Sequence, residues 1–343
     1  MSDAVRAGER VCRLVDAADQ VYASRAELTK ALLESTGLSP EGLEFAWERS
    51  FERAISDAQR TSLLARSLPR DAVLVVLSAN VFVAPVRALA CALAQSARVF
   101  VKPSKREPHV VRALLEAAPD LGIEVLSDES AASFAGEVHV YGRAETIAAY
   151  RASLPSASVL VPHGPGFGVA YVAAQDDLKA AAASVANDVV LFDQRGCMSP
   201  RMTYVAGDRA RAAAFGRALH AALEAHAVPR GRLATEEIEE IRAFSRTMDV
   251  VGELLEGESA TVAIADVPGT PVLAPVGRNM FIAPVETVAL DLLGSYAPYV
   301  TVVGTNEDAP WRPRGARLSR LGEMQTPPLD GPVDLRGEQV STS

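Results

Sequence analysis

The sequence predicts an α/β fold, with a parallel sheet followed by a second α/β segment. Two observations carry this. From Asp71 onward, short apolar runs bounded by small polar residues recur along the chain. Helical stretches of about ten residues separate many of them, the signature of βαβ units.

The elements follow in order. Residues 4–66 read as helical, with Leu28, Leu32 and Leu33 at helical spacing. Ser39-Pro40-Glu41-Gly42 marks a helix start, Ser as N-cap and Pro at the first helical position. The helix after it carries Leu43, Phe45, Ala46 and Phe51. AVLVVLSAN, beginning at Ala72, is a continuous apolar run ended by small polar residues, as a strand buried on both faces should be. A helix over 84–95, the strand RVFVK and a helix over 107–118 come next. The strands IEVLS and EVHVY, a helix over 144–153 and the strand SVLVP complete the first segment. The second opens with GVAYVA, a helix over 175–190, the strand MTYVA and a long helix over 208–226. Residues 230–258 are charged and read as mostly helical. Short strands are expected near ATVAIAD and NMFIAPV, and a late one at YVTVVG. Beyond about residue 330 the tail is rich in Gly, Pro, Ser and charge, and is expected to be disordered.

Composition narrows the function classes. Hydrophobic residues make up 49% and charged residues 22%, which fits a globular chain. A net charge of −9 argues against binding a nucleic-acid backbone, which needs clustered Lys and Arg. Cys12, Cys91 and Cys197 are scattered, so they form neither a disulfide framework nor a paired zinc motif. That points to a reducing, cytoplasmic setting. The first residues lack a basic patch followed by an apolar run, so no signal peptide is expected. No uncharged apolar stretch reaches the roughly 18 residues that insertion into a membrane requires.

In parallel sheets, functional loops leave the carboxyl ends of the strands. Five such places stand out: Ser78-Ala79-Asn80, Lys102-Pro103-Ser104, Ser127-Asp128-Glu129, Gly142-Arg143 and Pro162-His163-Gly164. Asn80 reads either as a cap or as an amide donor aimed at an oxyanion. Lys102 suits a ribose hydroxyl or a phosphate, or is a solvated surface lysine. With Lys105 and Arg106 it forms a basic cluster that suggests a further phosphate, such as the 2′-phosphate of NADP. His163 is a candidate acid/base, but no third orienting group marks a Cys/His protease. Cys197 lies in Gln194-Arg195-Gly196-Cys197-Met198-Ser199-Pro200-Arg201. Gly196 lets a ligand approach, and Arg195 and Arg201 are placed to favour the reactive thiolate. The residues alone favour a plainer reading, a packed structural cysteine. Cys12 and Cys91 sit among apolar helical residues and belong to that class. Neither GxGxxG near the first strand nor GxxxxGK[ST] anywhere is present, so the usual phosphate-loop readings lack support.

Taken together, LSANVFVAPVRALACAL, RVFVKPSKREP, FDQRGCMSPR and RLGEMQTPPLDG resemble segments of the aldehyde dehydrogenase superfamily, and within it the LuxC-type acyl-CoA reductases. The resemblance spans about residues 70–330 and keeps the order Asn80, Lys102, Gly142, Gly164, Cys197. It implies an aldehyde dehydrogenase-like α/β fold, a parallel Rossmann-type sheet plus a second α/β catalytic domain. It divides the chain into N-terminal helices (1–70), a nicotinamide cofactor-binding domain (71–166), a catalytic domain (167–288), a return and oligomerisation segment (289–330) and the tail (331–343). Cys197 becomes the nucleophile. Asn80 and the backbone N–H of Cys197 would hold the oxyanion. Lys102, Ser104, Lys105, Gly142 and Gly164 would contact NADP(H), and no metal is implied. Hydrolytic members have a water-activating glutamate near the position of Gly164, where this chain reads Val161-Pro162-His163-Gly164. Its absence favours reduction of an acyl-CoA, with a fatty acyl chain expected, over oxidation to an acid. The chain is also shorter than is usual for the family, and the later glutamate that many members use on the nicotinamide ribose is not found. Two alternatives follow: an aldehyde dehydrogenase of another substrate class, or a catalytically silent scaffold. The expected partners are an acyl-thioester substrate and further copies of the chain, with YVTVVG as a pairing edge, and neither nucleic acid nor membrane.

Overall fold

The computed structural model describes residues 3–266, 271–286, 290–307 and 311–336. Two compact units are formed. The first draws on Met1–Thr36, Ala46–Pro165 and Pro328–Val333, the second on Gly37–Phe45, Gly166–Pro327 and Asp334–Ser343.

The chain begins with four helices: α1 (Asp3–Ala23), α2 (Thr29–Thr36), α3 (Pro40–Ser50) and α4 (Asp57–Arg66). The Gly42 N–H donates to Ser39 Oγ at 3.0 Å, the cap expected for α3. A reciprocal capping box of Ser56 and Gln59 starts α4, with bonds of 3.2 and 2.8 Å. Then come β1 (Val73–Val76), α5 (Ala84–Gln95), β2 (Val99–Lys102), α6 (His109–Ala117) and β3 (Glu124–Val125). They are followed by α7 (Asp128–Ala132), β4 (Glu137–Tyr141), α8 (Ala144–Ser153) and β5 (Val159–His163). The five strands form a parallel sheet in the order β3-β2-β1-β4-β5.

Side chains alternate across β1, and both faces are covered. Val73 and Val75 pack with Val11 and Leu14 of α1 and Leu89 and Leu93 of α5. Leu74 and Val76 pack with Ala131, Val138, Val140 and Ile147 on the other face. That double burial is why the strand reads as an unbroken apolar run. The strand order reverses between β1 and β4, and in open α/β sheets ligands are generally taken at the carboxyl ends of the strands beside such a reversal.

The second unit holds β6 (Phe167–Val172), α9 (Leu178–Val190), β7 (Pro200–Ala206), α10 (Arg209–Glu224) and α11 (Thr235–Val251). It continues with β8 (Gly252–Glu256), β9 (Thr261–Ala265), β10 (Asn279–Val285), β11 (Val300–Gly304) and β12 (Arg317–Ser319). Its sheet runs β12-β11-β6-β7-β10-β9-β8, with β8 antiparallel to β9 and the other pairs parallel. The core gathers Phe167, Val169, Met202, Tyr204, Phe281 and Val303.

Two expectations need correction and a third needs an addition. β11 is not an edge: it lies between β12 and β6 and is buried throughout, so strand pairing at YVTVVG gives no argument for oligomerisation. The charged stretch 230–258 is mostly helical as read, through α11, but it also holds a strand that was not expected, because Gly252–Glu256 pairs with β9 as β8. Its hairpin turn is fastened by the Glu224 carboxylate, which accepts the N–H groups of Glu258, Ser259 and Ala260. The tail is ordered at its start: Asp334 is buried and its carboxylate accepts from the Arg336 guanidinium. The remainder of the expected disordered stretch, 337–343, lies outside the described residues. Among the described residues no helix is long and apolar enough to cross a membrane.

Candidate functional site

Cys197 sits in the loop between α9 and β7. The approach to it is conformationally demanding: Phe192, Asp193 and Gln194 have φ of +57°, +48° and +65°, three consecutive non-glycine residues in the left-handed region. Such conformations cost about 1–3 kcal/mol each and persist only where the surroundings over-determine them. Here they do. The Asp193 carboxylate accepts from Arg278 Nε at 2.8 Å and from the Gly231 N–H at 2.9 Å, and both ionic residues are buried. Arg278 also donates to the Val228 and Pro229 carbonyls at 2.8 and 3.0 Å. Fully buried Gln194 donates to the carbonyls of Pro200 and Asn279 (2.7 and 2.5 Å) and accepts from the Asn279 N–H at 2.8 Å.

The other side of the loop rests on the segment GEMQ. Gln325 accepts from Ser199 Oγ at 2.9 Å and donates to the carbonyls of Asp188 and Leu191 at 2.5 and 3.1 Å. The Asp188 carboxylate accepts the N–H groups of Gly322 and Met324 at 2.6 and 2.9 Å. A Cβ at position 196 would lie 2.3 Å from Gln325 Oε1, so glycine is required there by close packing. Sequence reading missed these anchors, although Gln325 lies in the carboxyl-terminal motif that it quoted.

On this platform Cys197 is exposed, and its carbonyl accepts from Thr301 Oγ1 at 2.6 Å. The mass of protein around the sulfur, and then the Asp334 carboxylate, push the thiol up to about 11, while Arg336 acts in the opposite sense. The expectation that Arg195 and Arg201 favour the thiolate is therefore corrected. Arg195 is engaged by Glu237 at 2.7 Å and by Asp193, and Arg201 Nε donates to the Ala274 carbonyl. Burial brings Arg201 itself down to about 10. Of the other cysteines, Cys91 is buried in the core and Cys12 accepts from Arg60 at 3.3 Å.

In the first unit the structure gathers the polar strand-end residues that follow β1, β2 and β3. Asn80 is exposed, and its Oδ1 accepts from Arg106 Nη2 at 2.9 Å, which fixes the orientation of the amide. Lys102 and Lys105 both pair with Asp128, at 2.8 and 2.5 Å. Hydrogen bonds from Lys102, then Lys105, hold the Asp128 carboxyl down to about 2. Ser104 Oγ accepts the Arg106 N–H at 3.2 Å. Asp128 was legible as a strand-end residue, but its pairing with two lysines was not.

Gly142 and Gly164 follow β4 and β5. A Cβ on Gly142 would meet Thr146 at 3.2 Å, and one on Gly164 would meet Ile147 at 3.3 Å. Both glycines thus let α8 approach the strands closely. His163 is not a surface acid/base. It is buried, stacks on Tyr141 with ring centroids 4.0 Å apart, and lies 3.0 Å from His139 Nδ1 through Nε2. His139 in turn reaches the Glu137 carboxylate at 2.9 Å. Burial works to raise the Glu137 carboxyl, but hydrogen bonds from His139 and Arg70 outweigh it and hold it low. Among the described residues no group of three or more His, Cys, Asp or Glu is arranged to hold a metal.

A sequence model described as Acyl-CoA reductase (LuxC) matches residues 57–308. Solved structures share the fold at low identity. An NAD-dependent benzaldehyde dehydrogenase from Corynebacterium glutamicum is 15% identical with a TM-score of 0.61, over 87% of this chain and 76% of that one. An NADP-dependent glyceraldehyde-3-phosphate dehydrogenase from Bacillus halodurans, complexed with NADP, is 14% identical with a TM-score of 0.64, over 87% and 73%. Proline utilization A from Bradyrhizobium japonicum is 15% identical with a TM-score of 0.68; the match takes in 96% of this chain but only 42% of that protein. No curated protein matches the chain.

Proposed function

The chain belongs to the LuxC acyl-CoA reductase family, and on that premise we propose that it reduces an acyl-CoA, with a fatty acyl group, to the aldehyde, using NADPH and a Cys197-bound acyl-enzyme. At the coarser level it is an aldehyde-related oxidoreductase with an aldehyde dehydrogenase-like fold. The observation that carries the finer reading is Cys197 itself, exposed at the end of a left-handed turn that buried ionic and amide anchors hold in place.

In this reading the Cys197 sulfur, as thiolate, attacks the thioester carbonyl carbon and CoA leaves as its thiolate. This divides one hard displacement into two easier steps. The oxyanion falls to the Asn80 amide and the backbone N–H of Cys197. After reduction of the acyl carbon, the hemithioacetal collapses to aldehyde and free thiol. The sum is acyl-CoA plus NADPH and a proton giving aldehyde, CoA and NADP⁺. Near Gly164 the chain supplies a buried, stacked histidine rather than a carboxylate, so the base that hydrolysis of the acyl-enzyme needs is missing from that position.

The strand-end cluster fits a nicotinamide dinucleotide. The sheet reverses its order beside it, and Lys102, Ser104, Lys105 and Arg106 offer cations and a hydroxyl for ribose and phosphate. Lys102 and Ser104 would hold the adenosine side and Lys105 a 2′-phosphate, with Gly142 and Gly164 beside the pyrophosphate region. When bound, the cofactor supplies the hydride. Asp128 competes with a 2′-phosphate for the two lysines, so discrimination between NADPH and NADH rests on this cluster.

The test is product analysis with an acyl-CoA chain-length series. One aldehyde and one CoA per NADPH oxidised support the proposal; a carboxylic acid product, or no turnover with any acyl-CoA, contradicts it. Two variants probe the roles. Asn80→Ala should lower kcat by roughly 10²–10³-fold, the usual effect of losing an oxyanion donor, and an unchanged kcat would remove Asn80 from that role. Replacing Lys105 and Arg106 together by alanine should reduce the NADPH-over-NADH ratio of kcat/KM by roughly 10- to 100-fold, the worth of one or two charge-assisted hydrogen bonds. An unaltered ratio would place phosphate recognition elsewhere.

A further inference from the structure

The proposed mechanism needs the Asn80 amide to offer its N–H, and nothing in that side chain alone ensures it. The terminal torsion of an asparagine is broad and roughly two-fold, so nitrogen and oxygen exchange places easily. A reversed amide would present an acceptor oxygen to a developing oxyanion. The backbone around Asn80 is well fixed. The Leu77 N–H donates to the Lys102 carbonyl at 3.0 Å, which continues the β1–β2 pairing towards Asn80. Beyond it, Phe82 is buried against Trp47, with ring centroids 4.9 Å apart. The exposed amide itself still has to be oriented.

Arg106 does this. Its Nη2 donates to Asn80 Oδ1 at 2.9 Å. A guanidinium carries donors and no acceptor, so the amide atom that faces it must be the oxygen, and the NH₂ group is turned the other way. Donation from a cation also polarises the amide and strengthens Nδ2–H as a donor. The backbone of Arg106 is held on both sides. Its N–H donates to Ser104 Oγ at 3.2 Å. The next residue, Glu107, is buried and accepts the N–H groups of His109 and Val110 at 2.9 and 3.1 Å. Asp128 engages Lys102 and Lys105, whereas among the described residues no carboxylate pairs with Arg106.

We propose that Arg106 is a positioning residue for acyl transfer: by holding Asn80 Oδ1 it leaves Nδ2–H as the group that Asn80 offers to the oxyanion. The proposal rests on Asn80 as that donor and adds what aims it. It divides the cations of Lys102-Pro103-Ser104-Lys105-Arg106 by task. The 2′-phosphate falls to Lys105, and Arg106 contributes to acylation of the enzyme whichever cofactor is used.

The experiment is single-turnover release of CoA from a long-chain acyl-CoA by the full chain with no nicotinamide present, so that phosphate recognition cannot contribute. Both side chains to be replaced are exposed, and the variants should fold as the unaltered chain does. Arg106→Ala should slow release roughly 10-fold, the scale of one charge-assisted hydrogen bond at an exposed site. Arg106→Lys keeps a cationic donor and should fall between Arg106→Ala and the unaltered chain. Asn80→Ala should slow release by roughly 10²–10³-fold. Adding Arg106→Ala to Asn80→Ala should slow it no further, because Arg106 acts through the amide. That pattern supports the proposal. Arg106→Ala at the unaltered rate overturns it. So do losses that multiply in the double variant, since a guanidinium acting directly on the substrate would still count once the amide is gone. If Asn80→Ala alone leaves the rate unchanged, or the unaltered chain releases no CoA, the oxyanion or acyl-enzyme reading falls first and takes this proposal with it.

Discussion

Replacing Cys197 by alanine is expected to lower acyl-CoA-dependent NADPH oxidation by at least roughly 10⁴-fold, the scale seen when the nucleophile of a covalent mechanism is removed. Thermal unfolding should change little. The residue is exposed, and the interactions that shape its loop come from Asp193, Gln194, Gln325 and Thr301, the last through the backbone carbonyl of position 197. Protein surrounds the sulfur closely enough to raise the thiol, so its loss removes a small packed group while leaving those anchors intact, and should change stability by no more than about 1 kcal/mol. Steady-state rates with calorimetry on the same sample separate chemistry from folding. A variant that keeps a tenth or more of the turnover would contradict the assignment.

The second large effect concerns the platform. Asp193→Ala strands the buried Arg278 guanidinium, which has only backbone carbonyls left among the partners described, and removes the acceptor of the Gly231 N–H. Breaking a buried pair from one side costs about 3–5 kcal/mol. The melting transition should fall by on the order of 10 °C. Activity should fall further than stability accounts for, because the left-handed conformations of Phe192–Gln194 lose one of the two anchors that impose them. Asp193→Asn, which keeps the shape and an acceptor oxygen, should fall between. A melting point within a degree of the unaltered chain would mean that the turn is held by other contacts.

Much of the first sheet was legible because its chemistry is local. The helix boundaries at 84–95 and 144–153 and the strand Glu137–Tyr141 lie where periodicity puts them. The carboxyl-end rule located the Asn80, Lys102 and Asp128 loops. What sequence could not give depends on distant partners. β8 hides in a charged stretch because its strand character comes from pairing with β9 and from the Glu224 clasp on the turn. β11 resembles an edge only until β12, three residues long, covers it. The left-handed run has no glycine to announce it, since long-range contacts of Asp193 and Gln194 impose it. Arg195 and Arg201 looked like thiolate partners by proximity in sequence, yet their charges are spent on Glu237, Asp193 and a backbone carbonyl. His163 stands at a strand end but turns inward, stacked on Tyr141 two residues along the neighbouring strand from His139.

The most direct measurement is the intact mass of the protein after mixing with a long-chain acyl-CoA in the absence of any nicotinamide cofactor. The expected result is a single acyl adduct, released CoA in equal amount, and the added mass on the peptide that contains Cys197. Unchanged protein mass alongside intact acyl-CoA, or an adduct carried by a different residue, would contradict the acyl-enzyme on which the proposed function stands.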